Sequence, residues 1–219
     1  MLFYLITDYK PVPEVDLGFV ISARAADAAN NFVKIKDTIN AILNEFGIGR
    51  VRYTVILYGV RPSVKVQFGD DFPSAKSLQS YISVLPRPRG GADLSKALQA
   101  AKGEFDKSVR PGAKRVLVVI SDSKSDSLLV HIRNASKSLE NSGVKVVPVA
   151  FGNAADKQEL QSTSEDGKDY LVNAKEPVDG KALAEKIINQ ALVGKTRRRA
   201  FAKICVYEHN NNSFLVWVV

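Results

Sequence analysis

The stretch Asp16-Leu17-Gly18-Phe19-Val20-Ile21-Ser22-Ala23-Arg24-Ala25-Ala26 decides the fold that we expect for this chain. Its first half is typical of a buried strand, and its second half leads directly into the periodic apolar pattern of a long helix. In an open α/β sheet the first strand usually lies centrally, and its carboxyl end faces the ligand crevice. We therefore expect residues 22–26 to form the turn at which this protein binds a ligand.

Strand and helix patterns alternate along most of the remaining chain. The predicted strands are 17–22, 51–59, 63–68, 114–122, 144–151 and 170–172, and the predicted helices are 25–46, 74–84, 93–107, 127–141, 156–160 and 180–192. This alternation predicts right-handed crossovers and a mainly parallel sheet. The short turn at Arg61-Pro62 predicts a hairpin that adds an antiparallel edge strand. The fold class is therefore α/β, a doubly wound, mainly parallel central sheet with one antiparallel edge strand and helices on both faces.

Length and composition divide the chain into three parts. Its 219 residues suffice for one sizeable domain with short extensions. We expect a proline-containing extension or linker at 1–13, the domain at 14–193, and a basic then apolar extension at 194–219. No apolar run approaches the ~20 residues that span a bilayer. The apolar start of the chain is shorter than the ~7–15 residues of a signal core, so we expect neither a membrane span nor a visible signal peptide.

The net charge of +8 is unevenly distributed. Five basic residues and one acidic residue after position 194 give the tail +4 of that charge. Such a tail can attract nucleic acid or anionic lipid, and binding through it is one alternative for function. No RNA-binding aromatic motif accompanies it, so we expect a solvated extension and no nucleic-acid partner.

Catalytic motifs are absent from the sequence. One cysteine, Cys205, and two histidines, His131 and His209, give no supported nucleophilic set or zinc site. Neither G-x-G-x-x-G after the first strand nor G-x-x-x-x-G-K-[ST] occurs. We therefore predict that the protein is not an enzyme, with a nucleotide-using enzyme as a less favoured alternative.

Five local strings, in this order, resemble a von Willebrand factor type A domain. They lie at 16–21, 51–68, 90–98, 114–126 and 144–153. In particular, GGADLSKAL at 90–98 is similar to the family's GGTxTGxAL loop, and KRVLVVISDSKSD at 114–126 is similar to its RVLVVITDGxSxD strand. The resemblance covers about residues 14–193 and is greatest to collagen-associated members of the extracellular matrix. It implies a Rossmann-like A-domain fold, a secreted protein and a role in adhesion.

The family's metal-ion-dependent adhesion site implies a ligand set for Mg²⁺ or Mn²⁺. Its D-x-S-x-S motif falls on Ser22, Arg24 and Ala26, its loop Thr on Ala92, and its last Asp on Asp122. Only Asp122 is retained, and a guanidinium that is always charged stands among the other positions. We therefore expect no metal cofactor, with weak binding of Mg²⁺ or Mn²⁺ at a residual site as the alternative.

The same loops are the predicted interaction surface. Its candidate residues are Ser22, Arg24, Ala26, Ala92, Asp93, Asp122 and Ser123. One hypothesis is that the Arg24 guanidinium replaces the cation and pairs with Asp122. The alternative is that Arg24 points into solvent and Asp122 caps the next helix.

Together these observations predict a non-enzymatic interaction module of the extracellular matrix that does not depend on a divalent metal. Its partner is a protein, with collagen or another matrix protein as candidates. Metal-dependent adhesion through a residual site and a purely structural spacer are the alternatives. Asn134-Ala135-Ser136 also fits the N-glycosylation acceptor pattern, which makes Asn134 a candidate modification site.

Overall fold

Strands and helices alternate around a six-stranded sheet in the computed structural model, which describes residues 14–24, 28–107, 109–164, 172–174, 204–209 and 212–217. The strands of this sheet are β1 (Val15–Ser22), β2 (Val51–Tyr58), β3 (Pro62–Val66), β4 (Lys114–Ser121), β5 (Val144–Phe151) and β6 (Val172–Ala174). The helices are α1 (Ala28–Phe46), α2 (Ala75–Ser83), α3 (Leu94–Lys107), α4 (Leu129–Asn141) and α5 (Lys157–Gln161). A second, two-stranded sheet consists of β7 (Ile204–His209) and β8 (Asn212–Trp217).

The strand that follows residue 14 lies at the centre of the sheet. The strand order is β3-β2-β1-β4-β5-β6, in which β1 runs parallel to both β2 and β4. Strand β3 is antiparallel to β2 and forms one edge. These pairings confirm the predicted fold class and the predicted edge hairpin.

Helices cover both faces of the sheet because the side chains of each strand alternate between two cores. On one face, Leu17 and Val118 pack with residues of α1 and α2, such as Ile35. On the other face, Val119 packs with residues of α3 and α4, such as Leu98. Burial from both sides explains why β1 and β4 are almost continuously apolar in sequence.

A buried ion cluster closes the amino end of the central strand. Asp16 is 1% exposed, and its two carboxylate oxygens accept hydrogen bonds from Nε and Nη2 of Arg52, each at 2.9 Å. Nη2 of Arg110 lies 3.0 Å from the same carboxylate. The bidentate contact to Asp16, opposed by desolvation, raises the pKa of Arg52. Asp16 thus connects β1 to Arg52 of β2 and to Arg110 at the end of the sheet that lies away from the predicted ligand loops.

Helix α4 differs from its prediction at its start. The helix begins at Leu129 and not at residue 127, and Leu128 precedes it in an extended conformation. The apolar spacing of the predicted helix 127–141 places Leu128 towards the core, but that expectation is wrong, since this side chain is 64% exposed. As an N-cap residue, Leu128 lies outside the helical repeat that places Ile132 and Leu139 in the core.

Several predicted features lie outside the described residues, namely the extension 1–13, the start of the first helix at 25–27 and the last helix at 180–192. In the predicted C-terminal extension, β7 and β8 form an antiparallel pair. In the described portion of the chain, no helix has both the length and the apolar character needed to cross a membrane.

Candidate functional site at the carboxyl edge of the sheet

The candidate residues meet where the parallel strands β1 and β4 end. Ser22 and Ser121 are paired at the last position of the β1–β4 ladder. The chain beyond each strand therefore emerges at the same edge of the sheet, which is where open α/β sheets bind ligands. A third segment, 86–93, reaches this edge from the end of α2 and leads into α3.

Asp122 fastens the turn after β1 to the end of β4. Its carboxylate is fully buried, with 0% exposure. Oδ1 accepts a hydrogen bond from the backbone N–H of Arg24 at 2.7 Å, and Oδ2 accepts one from Nδ2 of Asn31 at 3.1 Å. Both oxygens of the one retained family carboxylate are thus engaged by donors of the protein itself.

The Arg24 guanidinium pairs with Asp126. Its Nη1 lies 3.1 Å from Oδ1 of Asp126, and the two side chains are 30% and 58% exposed. The prediction that this guanidinium pairs with Asp122 is therefore wrong, because its partner is Asp126. Asp122 is buried beneath the turn and receives the backbone of Arg24, while the long arginine side chain extends outward to the more exposed carboxylate. The alternative interpretation also fails, because the N-cap of α4 is Leu128.

Asp126 holds the loop before α3 as well. Its Oδ2 accepts a hydrogen bond from the N–H of Ala92 at 2.8 Å, and its own N–H donates to the carbonyl of Ala92 at 2.7 Å. A Cβ at Gly91 would lie 2.7 Å from the same Oδ2, so a larger residue there would displace the Asp126 carboxylate. The N–H of Ala92 and then the Arg24 guanidinium hold the pKa of Asp126 below its usual value.

Asp93 ties the same loop to the segment after β4. Its Oδ1 accepts hydrogen bonds from Ser95 Oγ at 2.8 Å, Lys96 N at 3.1 Å and Ser127 Oγ at 2.9 Å. Its Oδ2 lies 2.8 Å from Nζ of Lys96. Desolvation raises the pKa of Asp93, but the contacts to Lys96, Ser95 and Ser127 outweigh it and hold this pKa well below its usual range. An Asp immediately before a helical pattern is expected to cap the helix, and the contact to Lys96 N confirms this role for Asp93 at the start of α3.

A buried glutamate that the sequence does not single out supports the loop after β4. Glu159 of α5 is 1% exposed, and both of its oxygens lie 3.0 Å from the backbone N of Ser125. Ser125 Oγ also donates to Oε2 of Glu159 at 2.9 Å. Burial raises the pKa of Glu159, although the hydrogen bonds from Ser125 oppose that shift.

The remaining candidate residues have different surroundings. The Oγ atoms of Ser22 and Ser123 are buried, and neither has a hydrogen-bond partner among the described residues. Ala92 is 2% exposed, Ala26 lies outside the described residues, and Asn134 lies on an exposed position of α4.

The side chains at this edge of the sheet do not fit the ligand set of a divalent cation. Mg²⁺ and Mn²⁺ require several hard oxygen ligands, and carboxylates are their main protein ligands. Asp122 has both oxygens engaged by N–H donors, and the guanidinium of Arg24 occupies the adjoining loop surface. Across the described ranges, no three Asp, Glu, His or Cys side chains converge on a point that could hold a metal.

Known proteins resemble this chain in sequence and in structure. The family model for the von Willebrand factor type A domain matches residues 16–186. The mouse collagen alpha-4(VI) chain is 26% identical over 70% of this chain and 7% of its own length. Chicken matrilin-1 is 24% identical over 69% of this chain and 31% of its own length. The chain therefore spans less than a third of either relative.

A solved structure shares the fold. Proximal thread matrix protein 1 from the mussel byssus, in a form whose metal-ion-dependent adhesion site is occupied by zinc, superposes with a TM-score of 0.69 at 20% identity. The superposition covers 82% of this chain and 46% of the mussel protein. The match of the family model over most of the chain, together with the topology described above, shows that this chain belongs to the von Willebrand factor type A domain family.

Proposed function

We propose that this domain is a non-enzymatic protein-interaction module of the extracellular matrix that binds its partner without a divalent metal. The proposal takes its matrix setting from the relatives, which include a collagen chain, a matrilin and a thread matrix protein. Collagen or another matrix protein is accordingly the proposed partner, and the proposed location is extracellular. The contact surface is the carboxyl edge of the sheet, where the loops after β1 and β4 meet the loop before α3.

The Arg24–Asp126 pair is the observation that carries the metal-free mechanism. A guanidinium is a permanent cation with five directed N–H donors, and one of them already contacts Asp126. With 30% of its side chain exposed, Arg24 retains donors that face solvent and can receive an acidic group of a partner. Its charge needs no metal to be present and does not respond to chelators.

Hydrogen bonds connect the loops that carry this cation, which supports a preformed binding surface. Asp122, Asp126 and Asp93 each connect two different loops through hydrogen bonds of 2.7–2.9 Å. Preorganised loops lose little conformational entropy when a partner binds, so exposed contacts made from them contribute more to affinity.

Solid-phase binding tests the proposal. The full chain is applied to immobilised collagens and other purified matrix proteins, in buffer containing either EDTA or Mg²⁺ and Mn²⁺. We expect retention on at least one of these proteins at the same level in both buffers, and weaker retention of Arg24→Ala. The exposed Arg133→Ala on α4 is the matched control and should bind like the unaltered chain. Loss of retention in EDTA, or no retention on any protein, would contradict the proposal, and the second outcome would favour a structural spacer.

A further inference from the structure

The loop that leads into α3 carries two arginines in the order Pro86-Arg87-Pro88-Arg89. Each proline fixes its own φ, removes one backbone N–H and keeps the residue before it extended. Alternate residues of an extended chain project to the same side. Arg87 and Arg89 indeed line the same two cavities. The function proposed above does not use these two arginines.

This loop is fixed to the end of β2. A Cβ at Gly59 would collide with the carbonyl oxygen of Arg89, so the two backbones approach in a way that only glycine permits. Gly90 has a φ of +82°, and a Cβ there would lie 2.7 Å from a methyl group of Val60. The N–H of Asp93 also donates to the carbonyl of Gly59 at 3.1 Å. The arginines therefore project from a backbone that is held in place.

Two cavities adjoin at this loop and share residues 87–89. One, of about 490 Å³, is also lined by Arg24. The other, of about 430 Å³, is also lined by Arg61 and Lys65 of the β2–β3 hairpin. We refer to Arg24, Arg61, Lys65, Arg87 and Arg89 as the basic strip. It begins at the candidate site and continues towards the antiparallel edge of the sheet.

The charge of the basic strip is largely uncompensated. Among the described residues that line the two cavities, none is acidic. Arg24 pairs with Asp126, and among the described residues Arg87 donates to the backbone carbonyl of Ala23, at 3.4 Å. No described carboxylate pairs with the other three members. Clefts lined by charge of one sign concentrate ligands of the opposite sign.

We propose that the basic strip binds a sulfated polysaccharide chain. Sulfate esters are oxyanions that stay ionised at neutral pH, and their oxygens match the paired N–H donors of a guanidinium. A linear polyanion presents such groups repeatedly, which matches five cations spread over two adjoining cavities better than a single carboxylate does. Clusters of Lys and Arg are the sequence feature expected of such a surface. The cavity beside Arg24 is lined by arginine, proline and glycine among the described residues, so no described carboxylate lines it to repel a sulfate group.

Fluorescence anisotropy with a labelled heparin octasaccharide tests this inference on the full chain. The double variant Arg87→Ala/Arg89→Ala should weaken binding about tenfold, because two charge-assisted contacts are lost. The matched control is Arg133→Ala/Lys137→Ala, which removes two exposed charges one helical turn apart on α4. We expect the dissociation constant of the control to change by less than about twofold, as for charges remote from the ligand. Thermal unfolding of each variant verifies that it is folded.

Two further arms distinguish binding at the basic strip from binding at the C-terminal tail and from unselective attraction of polyanions. Arg197→Ala/Arg198→Ala/Arg199→Ala removes charge from the tail, and unlabelled polyglutamate competes at matched charge concentration. Selective loss in the Arg87→Ala/Arg89→Ala variant, with weak competition by polyglutamate, supports the proposal. Equal loss in the α4 control, loss only in the tail variant, or full displacement by polyglutamate would overturn it. None of these readouts depends on a protein partner, so they are independent of the function proposed above.

Discussion

Arg24 contacts Asp122 through its backbone, with the N–H 2.7 Å from Oδ1, and directs its guanidinium to Asp126. One residue thereby connects the turn after β1 to two positions of the loop after β4. The buried carboxylate of Asp122 positions the backbone of Arg24, and the exposed carboxylate of Asp126 orients its guanidinium. Side chains and backbone of the described residues thus connect the loops at this edge of the sheet.

The two contacts of Asp126 should contribute unequally to stability. Asp126→Ala removes both the acceptor for the Ala92 N–H and the partner of Arg24, whereas Arg24→Ala removes only an exposed ion pair. We expect the melting temperature to fall further in Asp126→Ala than in Arg24→Ala. Differential scanning fluorimetry of both variants and of the double variant measures this order. An equal or larger effect of Arg24→Ala would show that the ion pair, and not the Ala92 contact, holds the loops together.

The capping network of Asp93 predicts a pH dependence. Its pKa is lower in the folded chain than the ordinary value of 3.8, so its contribution is complete above that value and is lost as pH falls through the lower, folded pKa. Asp93→Asn, which does not titrate, should cost about 1 kcal/mol of unfolding free energy at pH 7. Urea unfolding should show this difference shrinking as pH falls below the ordinary pKa of Asp93.

The control for that experiment is Asp106→Asn on the same helix. Asp106 is 46% exposed and pairs with Lys102 at the surface, so its replacement should change the unfolding free energy little, both at pH 7 and below the ordinary pKa of Asp93. A pH-independent cost of Asp93→Asn would mean that hydrogen bonding alone, without the charge, accounts for the cap.

The ion cluster at the opposite edge should affect stability without affecting binding. Asp16→Asn leaves the guanidinium groups of Arg52 and Arg110 at a neutral, buried amide. Breaking a buried pair in this way is expected to cost about 3 kcal/mol. Urea unfolding measures the cost, and heparin affinity below the melting temperature should match that of the unaltered chain. A cost under about 1 kcal/mol would show that Asp16 is dispensable.

Restoring the family ligands should create a metal site. The variant Ser22→Asp/Arg24→Ser/Ala26→Ser/Ala92→Thr supplies a second carboxylate and three hydroxyls and removes the guanidinium. We expect it to bind Mn²⁺ with a stoichiometry near one, reversed by EDTA, because hard oxygen ligands then surround the position. Isothermal titration calorimetry measures this gain. The smaller change Ser22→Asp/Arg24→Ser serves if the fourfold variant does not fold. A folded fourfold variant that takes up no Mn²⁺ would mean that other features of the loops prevent binding.

The sequence predicts the fold well because the apolar patterns that indicate strands and helices are local and repeated along the chain. The apolar run of β4 and the three- and four-residue spacing in α1 each report burial on a known face. Asp93 is recognisable as a cap because an acceptor immediately before a helical pattern has few other uses. Leu128 is misassigned for a related reason, since periodicity does not define the first residue of a helix.

The candidate site is harder to predict because its contacts join distant segments. Choosing between Asp122 and Asp126 as the partner of Arg24 requires knowing which of the two carboxylates is buried. These aspartates follow Arg24 by 98 and 102 positions in the sequence, so no local pattern indicates their burial. Asn31 is one polar residue among several at the start of α1, and nothing in its sequence surroundings indicates its contact with Asp122. Glu159 shows the same limit, because a glutamate in a short helix is ordinarily exposed.

The central claim, that this domain works without a divalent metal, is tested most directly by calorimetric titration of Mn²⁺ into the unaltered full chain, after treatment with EDTA and dialysis into EDTA-free buffer. We expect only heats of dilution, and an unchanged melting temperature in a large excess of Mn²⁺, because a ligand that does not bind the folded state does not stabilise it. A saturable, near-stoichiometric binding isotherm that disappears in Asp122→Asn would contradict the claim.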